Sequence, residues 1–290
     1  MIERNHNGDY GRLIVQGADR PGIVASVSGV LTGQGANIVS LDQTSSDPSG
    51  GRFFQRTVFH LPDLPARIGR LEEALEAELG GELGLDFRLV EVKRSKRVAI
   101  FVSKADHCLI DLLWRQRRGE LPMTVPMVVS NHPDLGEEVR SFGLPFFHVP
   151  VEKNNKAAAE KEQLNLLKGN VDLLVLARYM QILSGDFLEE LGMPVINIHH
   201  SFLPAFMGAD PYQRAKERGV KLIGATAHYV TEDLDEGPII EQDVIRVSHR
   251  ESVRELQRKG ADVERLVLSR AVAWHCEDRV IRDGNTTVVF

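Results

Sequence analysis

Cysteine is scarce: the 290 residues hold two, Cys108 and Cys276, at a spacing that suits no metal site and fits a reducing, cytoplasmic setting. Long apolar runs are missing as well. No stretch approaches the roughly 20 residues of a membrane helix, and the opening MIERNHNGDYGR is too polar for a signal peptide. No basic stripe is present either. The net charge of −6 is spread along the chain, and the one dense basic run, Lys93, Arg94, Lys96 and Arg97, reads as a solvated linker, so nucleic acid is not an expected partner. There is no G-x-S-x-G elbow and no Cys-His signature, which argues against a covalent serine or cysteine enzyme. What is there is an ordinary globular composition, 42% hydrophobic and 26% charged, in a chain long enough for two domains.

The first ninety residues alternate between two periods. Arg12 to Gly17 reads as a strand, and after the turn Asp19-Arg20-Pro21-Gly22 the apolar residues Ile23, Val24, Val27, Val30 and Leu31 recur at helical spacing. Strands are expected over Asn37–Thr44 and Arg52–Leu61, a second helix through Ile68, Leu71, Leu75 and Leu79, and a fourth strand over Leu85–Val92. This βαββαβ order is the ferredoxin-like arrangement. Its first turn, with Gly35-Ala36-Asn37-Ile38 after the helix, closely resembles the ACT family of small-molecule regulatory domains. That resemblance implies pairing between copies and an amino-acid effector; on a structural reading, Gly22 and Gly35 only supply backbone freedom at turns.

From Arg97 the pattern changes. Val98–Ser103, Met123–Val129, Val171–Ala177 and Pro194–Ile198 are continuous apolar strands separated by helix-period segments, with a short strand at Pro145–Val149. Strands without alternation, between helices, argue for a mostly parallel sheet with helices on both faces. The expected boundary places an assembly domain at 1–93 and a catalytic domain at 97–290.

Sheets of this kind place ligands at the carboxyl ends of their strands, and there the chain reads NIHHSFLPAFMGADPY, from Asn197 to Tyr212. Residues two apart on an extended segment face one way, so Asn197 and His199 point together. An amide donor beside an imidazole suits a carbonyl oxygen that is becoming an oxyanion. About thirty residues on, HYVTEDLDEGPI brings His228, Glu232, Asp233, Asp235 and Glu236, a source for a general base. Spacing does not say which carboxylate acts, and each of these residues taken singly also fits an ordinary core or surface role.

Three motifs in order, N-x-H, S-x-L-P-x-F-x-G and H-x-V-x-x-x-x-D-x-G-P, together with the upstream VLARYMQILS, closely resemble the folate-dependent formyltransferase family from Arg97 onward. The resemblance implies a Rossmann-like catalytic sheet and, position by position, Asn197, His199 and Asp235 as catalytic residues with His228 in support. It implies pterin binding by segments carrying Gln181, Leu183, Glu232 and Asp233, largely through backbone groups. Members that transfer formyl to a phosphorylated acceptor open their first βα turn with a glycine-rich phosphate loop. The corresponding turn here, Ser103-Lys104-Ala105-Asp106-His107-Cys108, has no glycine. Nor does the chain run far enough past Asp235 for the RNA-binding domain of the branch acting on tRNA. The branch it resembles most closely, with an ACT-like domain in front, implies water as acceptor: hydrolysis of 10-formyltetrahydrofolate to formate and tetrahydrofolate, balancing one-carbon pools and supplying formate for purine synthesis. It further implies no metal, no cofactor beyond the folate substrate, no membrane partner and a homo-oligomer. Transfer to an unidentified acceptor is the alternative.

Overall fold

A computed structural model of the chain describes residues 8–47, 49–152, 154–204 and 211–290. Contacts divide the chain into two compact units. The first is Met1–Ser95 with Asp278–Ile281 and Val288–Phe290; the second is Lys96–Glu277 with Arg282–Thr287.

The first unit runs β1 (Tyr10–Ala18), α1 (Ile23–Gly33), β2 (Asn37–Ser45), β3 (Arg52–His60), α2 (Leu64–Leu75), a π-helical turn (Glu76–Glu82) and β4 (Asp86–Glu91). Its antiparallel sheet has the order β2-β3-β1-β4. Ile23, Val27 and Leu31 of α1 and Leu64, Leu71 and Leu75 of α2 bury one apolar stripe each against Leu13, Val15, Phe53 and Phe59 of the sheet. Ile14, Phe54 and Val90 form a separate cluster with Ile281, Val288 and Phe290 from the end of the chain. Buried Asp278 accepts from Arg12 at 3.1 Å and from Arg88 at 2.8 Å. The last residues of the chain thus group with the first unit, whereas sequence reading assigned everything after Arg97 to the second.

The second unit contains β5 (Lys96–Val102), α3 (His107–Arg117), β6 (Met123–Thr124), β7 (Val128–Ser130), α4 (Gly136–Ser141), β8 (Phe146–His148), α5 (Lys156–Leu167), β9 (Leu173–Leu176), α6 (Gly185–Leu191), β10 (Val195–His199), α7 (Pro211–Glu217), β11 (Leu222–Tyr229), β12 (Ile239–Arg246) and α8 (Val253–Cys276). A β13–β14 hairpin (Val280–Asp283, Thr286–Val289) follows. The single strand expected over Met123–Val129 is two short ones, with Pro126, which has no N–H to give a ladder, between them. The sheet order is β12-β11-β10-β9-β5-β7-β8. The pairs among β8, β7, β5, β9 and β10 are parallel, and β11 and β12 are added antiparallel. Counted from β5, the parallel strands run 3-2-1-4-5, the doubly wound order, with its switch point between β5 and β9. Ala99 and Phe101 pack under α5 and α6, while Val98, Ile100 and Val102, on the opposite side of β5, are equally inaccessible. α8 covers β10, β11 and β12 and touches α3. Both faces are buried, which is why these strands carry no polar alternation.

Candidate active site

Asn197 and His199 end β10, and the antiparallel register of β11 sets Asn197 opposite His228. Cross-strand partners share a face, so three polar side chains converge from two strands. The His228 ring is fixed at its far side: Nδ1 lies 3.0 Å from the Tyr229 carbonyl, to which it donates. In the neutral ring that leaves Nε2 as the acceptor for the Asn197 amide, 3.2 Å away. The second N–H of that amide is left for a ligand.

Asp235 closes the group from the loop after β11. It holds φ 58, a left-handed conformation that Asp tolerates better than most residues. The loop is tied by Thr231 and the Glu236 N–H donating to the Asp233 carbonyl. At Gly237 a Cβ would collide with the Tyr229 carbonyl, so only glycine lets the chain pass. Asp235 Oδ2 sits 3.2 Å from His199 Nδ1, and Oδ1 sits 3.7 Å from His228 Nε2. Partial burial pushes the Asp235 carboxyl up, but the hydrogen bond from His199 and the nearby His228 imidazole outweigh it and hold the group well below the usual carboxylate range. His199 Nε2 is buried and has no hydrogen-bond partner among the described residues. The segment after His200 is anchored by Thr226 Oγ1, which donates to the Ser201 carbonyl and accepts from the Leu203 N–H and the Gln242 amide.

Asn197, His199, His228 and Asp235 line a cavity of about 1180 Å³. Gln181, Leu183 and Glu232 line it too. Asp233 does not; it is exposed, and its contribution is the carbonyl that ties the loop. Glu232 lies against Gly185 at the start of α6. The second half of the S-x-L-P-x-F-x-G motif, with Phe206 and Gly208, falls outside the described residues.

A second polar group in the cavity was not anticipated from sequence. Glu264, on α8 and 2% exposed, accepts from His107 Nε2 at 2.8 Å and from the Tyr212 hydroxyl at 2.7 Å. Arg178 Nε stands 3.4 Å from the same carboxylate. Burial raises Glu264, but the His107 hydrogen bond and the Arg178 charge outweigh it and bring the group down to about 2. Gly260, one turn earlier on α8, makes room for Tyr212, since a Cβ there would collide with its hydroxyl. The signal for Glu264 was a carboxylate on the apolar stripe of Leu256, Val263 and Val267. His200 joins the two groups, its ring 5.2 Å from His199 and 6.1 Å from Tyr212. Burial and the nearby Arg178 lower His200 to about 4, so it stays neutral.

His107, Cys108 and Glu264 bring potential ligand atoms within 4.8 Å of one another. They do not fit a metal. Both Glu264 oxygens are already acceptors, Arg178 adds a cation beside them, and burial and Glu264 hold the Cys108 thiol protonated.

With this geometry in place, the comparisons with known proteins are specific. The "Formyl transferase" family matches residues 96–272, and the "ACT domain" family matches residues 11–76. A formyltetrahydrofolate deformylase of Mycobacterium bovis is 62% identical over 282 residues, covering 97% of this chain and 91% of that protein. One from Bacillus subtilis is 50% identical, covering 99% and 96%. The crystal structure of a Pseudomonas syringae formyltetrahydrofolate deformylase superposes with TM-score 0.91 at 46% identity, covering 97% and 94%. A glycinamide ribonucleotide transformylase from Symbiobacterium toebii reaches 0.63 at 30% identity, covering 68% of this chain and 94% of its own. Since the deformylases match it almost end to end, through both the ACT and the formyl transferase regions, the chain belongs to the formyltetrahydrofolate deformylase family.

Proposed function

We propose that the second unit hydrolyses 10-formyltetrahydrofolate, with Asn197, His199 and Asp235 as the catalytic residues and His228 as the group that positions Asn197. The observation carrying this reading is the convergence of all four side chains within 3.7 Å contacts on one cavity. His199 donates from Nδ1 to Asp235 and turns its otherwise unpartnered Nε2 to the formyl oxygen, serving as a donor there when the ring carries its second proton. The spare Asn197 N–H supplies the second donor. Each such donor, stronger toward the oxyanion than toward the carbonyl, is worth about 3–4 kcal/mol.

Asp235, ionised throughout the neutral range, orients a water against the formyl carbon and takes its proton as the C–O bond forms. The tetrahedral intermediate then collapses with cleavage of the C–N bond. Asp235 returns its proton to the leaving N10 amine, and the formic acid released ionises to formate and a proton. Tetrahydrofolate and formate return to one-carbon metabolism, where formate feeds purine synthesis. Water, the folate and these side chains complete the chemistry, with no cofactor or metal. Gln181, Leu183 and Glu232, on the cavity wall, hold the pterin together with backbone groups of the loop that Asp233 ties.

The first unit serves assembly, as a pairing and amino-acid-binding element within a homo-oligomer, a role supported by its ACT family membership. Two buried cysteines outside any disulfide suit a reducing, cytoplasmic location. No described helix is long and apolar enough to cross a membrane. The function is tested by incubating purified protein with 10-formyltetrahydrofolate and no acceptor. Stoichiometric formate supports hydrolysis, whereas formyl release only on adding an amine supports transfer.

A further inference from the structure

Arg178 follows β9 at the switch point and holds φ 64, a backbone region that side chains other than glycine adopt at a cost. The residue lines the reaction cavity, with its side chain 16% exposed. Its Nε and Nη1 are buried and make no hydrogen bond among the described residues. Glu264 is an ion-pair partner at 3.4 Å, but its oxygens are directed at His107 and Tyr212, and the Nε contact lacks hydrogen-bond alignment. A buried guanidinium donor without an acceptor is costly unless something small supplies one. The other cations of the cavity wall, Arg254 and Arg258, are exposed and available to larger groups.

From this, and resting on the hydrolase reading above, we propose that Arg178 is a subsite for the product carboxylate, formate. Formate is released where the formyl group stood, beside the like-charged Asp235, whereas the Glu264 carboxylate near Arg178 is already engaged by the His107 and Tyr212 donors. His200 separates the Asp235–His199 pair from Tyr212 and Glu264 and, being neutral, neither traps the anion nor repels it. Beyond it Arg178 offers charge-assisted donors to a one-carbon carboxylate.

The test is product inhibition on the full chain, using sodium formate, tetrahydrofolate, and sodium chloride at matched ionic strength. Formate should inhibit the wild-type protein while chloride does not. Arg178→Gln and Arg178→Gly should each weaken formate inhibition about tenfold or more, the effect of losing a charge-assisted hydrogen bond, with inhibition by tetrahydrofolate unchanged. Glycine suits φ 64, which protects that variant's fold. Formate should also shift the imidazole NMR signals of His107 and His200 in folded wild type. Equal inhibition of wild type and variants, chloride acting like formate, or unmoved imidazole signals would each overturn the subsite. Absence of formate production by wild type would instead overturn hydrolysis itself, so the two failures are distinct.

Discussion

Asn197 and His228 stand directly opposite each other on β10 and β11, with the amide nitrogen 3.2 Å from Nε2 and the imidazole Nδ1 anchored to the Tyr229 carbonyl. The strand register thus aims one amide N–H at the histidine and leaves the other for substrate. Asn197→Ala is expected to lower kcat about a hundredfold or more with a smaller rise in KM, because an oxyanion donor acts mainly in the transition state. His199→Ala should do the same. Steady-state kinetics check both; a change confined to KM would make the residue a ground-state binding group.

His228 acts through Asn197 in this account. His228→Gln should therefore reduce kcat by less than Asn197→Ala, and the double variant should fall no further than Asn197→Ala alone. Additive losses in the double-variant cycle would show that His228 contacts the reacting atoms independently.

The strands that build the site were legible because burial on both faces leaves continuous apolar runs, as in VDLLVLA and VAIFVS. The expectation for Asn197, His199 and Asp235 came from three motifs that follow in order within fifty residues, and the structure brings the three side chains together. Glu264 was not. Its partners His107 and Tyr212 lie 157 and 52 residues away, so its place on the apolar stripe of α8 does not say what the carboxylate pairs with. Arg178 lies within VLARYMQILS, yet its left-handed backbone has no local signature. The return of Ile281, Val288 and Phe290 to the first unit is likewise a long-range pairing, invisible to periodicity.

That return carries a prediction about stability. Asp278 is fully buried, and Arg12 is its buried partner while Arg88 is half exposed. Arg12→Leu removes the buried cation beside the buried Asp278 carboxylate, and should destabilise the first unit by about 3 kcal/mol or more. Urea denaturation of the full chain measures this; a loss under about 1 kcal/mol would mean Asp278 is stabilised chiefly by other contacts. For the same reason deletion of residues 1–93 should expose Ile281, Val288 and Phe290 and favour aggregation, read by light scattering. A soluble, folded fragment 94–290 would restore the boundary read from sequence.

His200 supplies a pH dependence. Burial and Arg178 lower it to about 4 in the folded protein, against about 6.5 when unfolded. The unfolded chain takes the proton first, so this contribution to stability is complete above about pH 6.5 and is lost as pH falls toward 4. Between about pH 7 and pH 5 it amounts to about 2 kcal/mol at most. His200→Gln should remove that part of the slope, measured as the difference in unfolding free energy between the two pH values. An unchanged slope would show that His200 is protonated alike in both states.

The central claim is that Asp235 activates water. Asp235→Asn keeps the size of the side chain and cannot take a proton, so formate release should fall by about 10² to 10⁴-fold. Folate binding, followed by fluorescence quenching or calorimetry on the same preparation, should change little. The most direct measurement is therefore formate release by wild type and Asp235→Asn with 10-formyltetrahydrofolate and no added acceptor. The account predicts formate equal to the tetrahydrofolate formed in wild type and almost none in the variant; near wild-type release by Asp235→Asn would contradict it and point to Glu232 or Asp233.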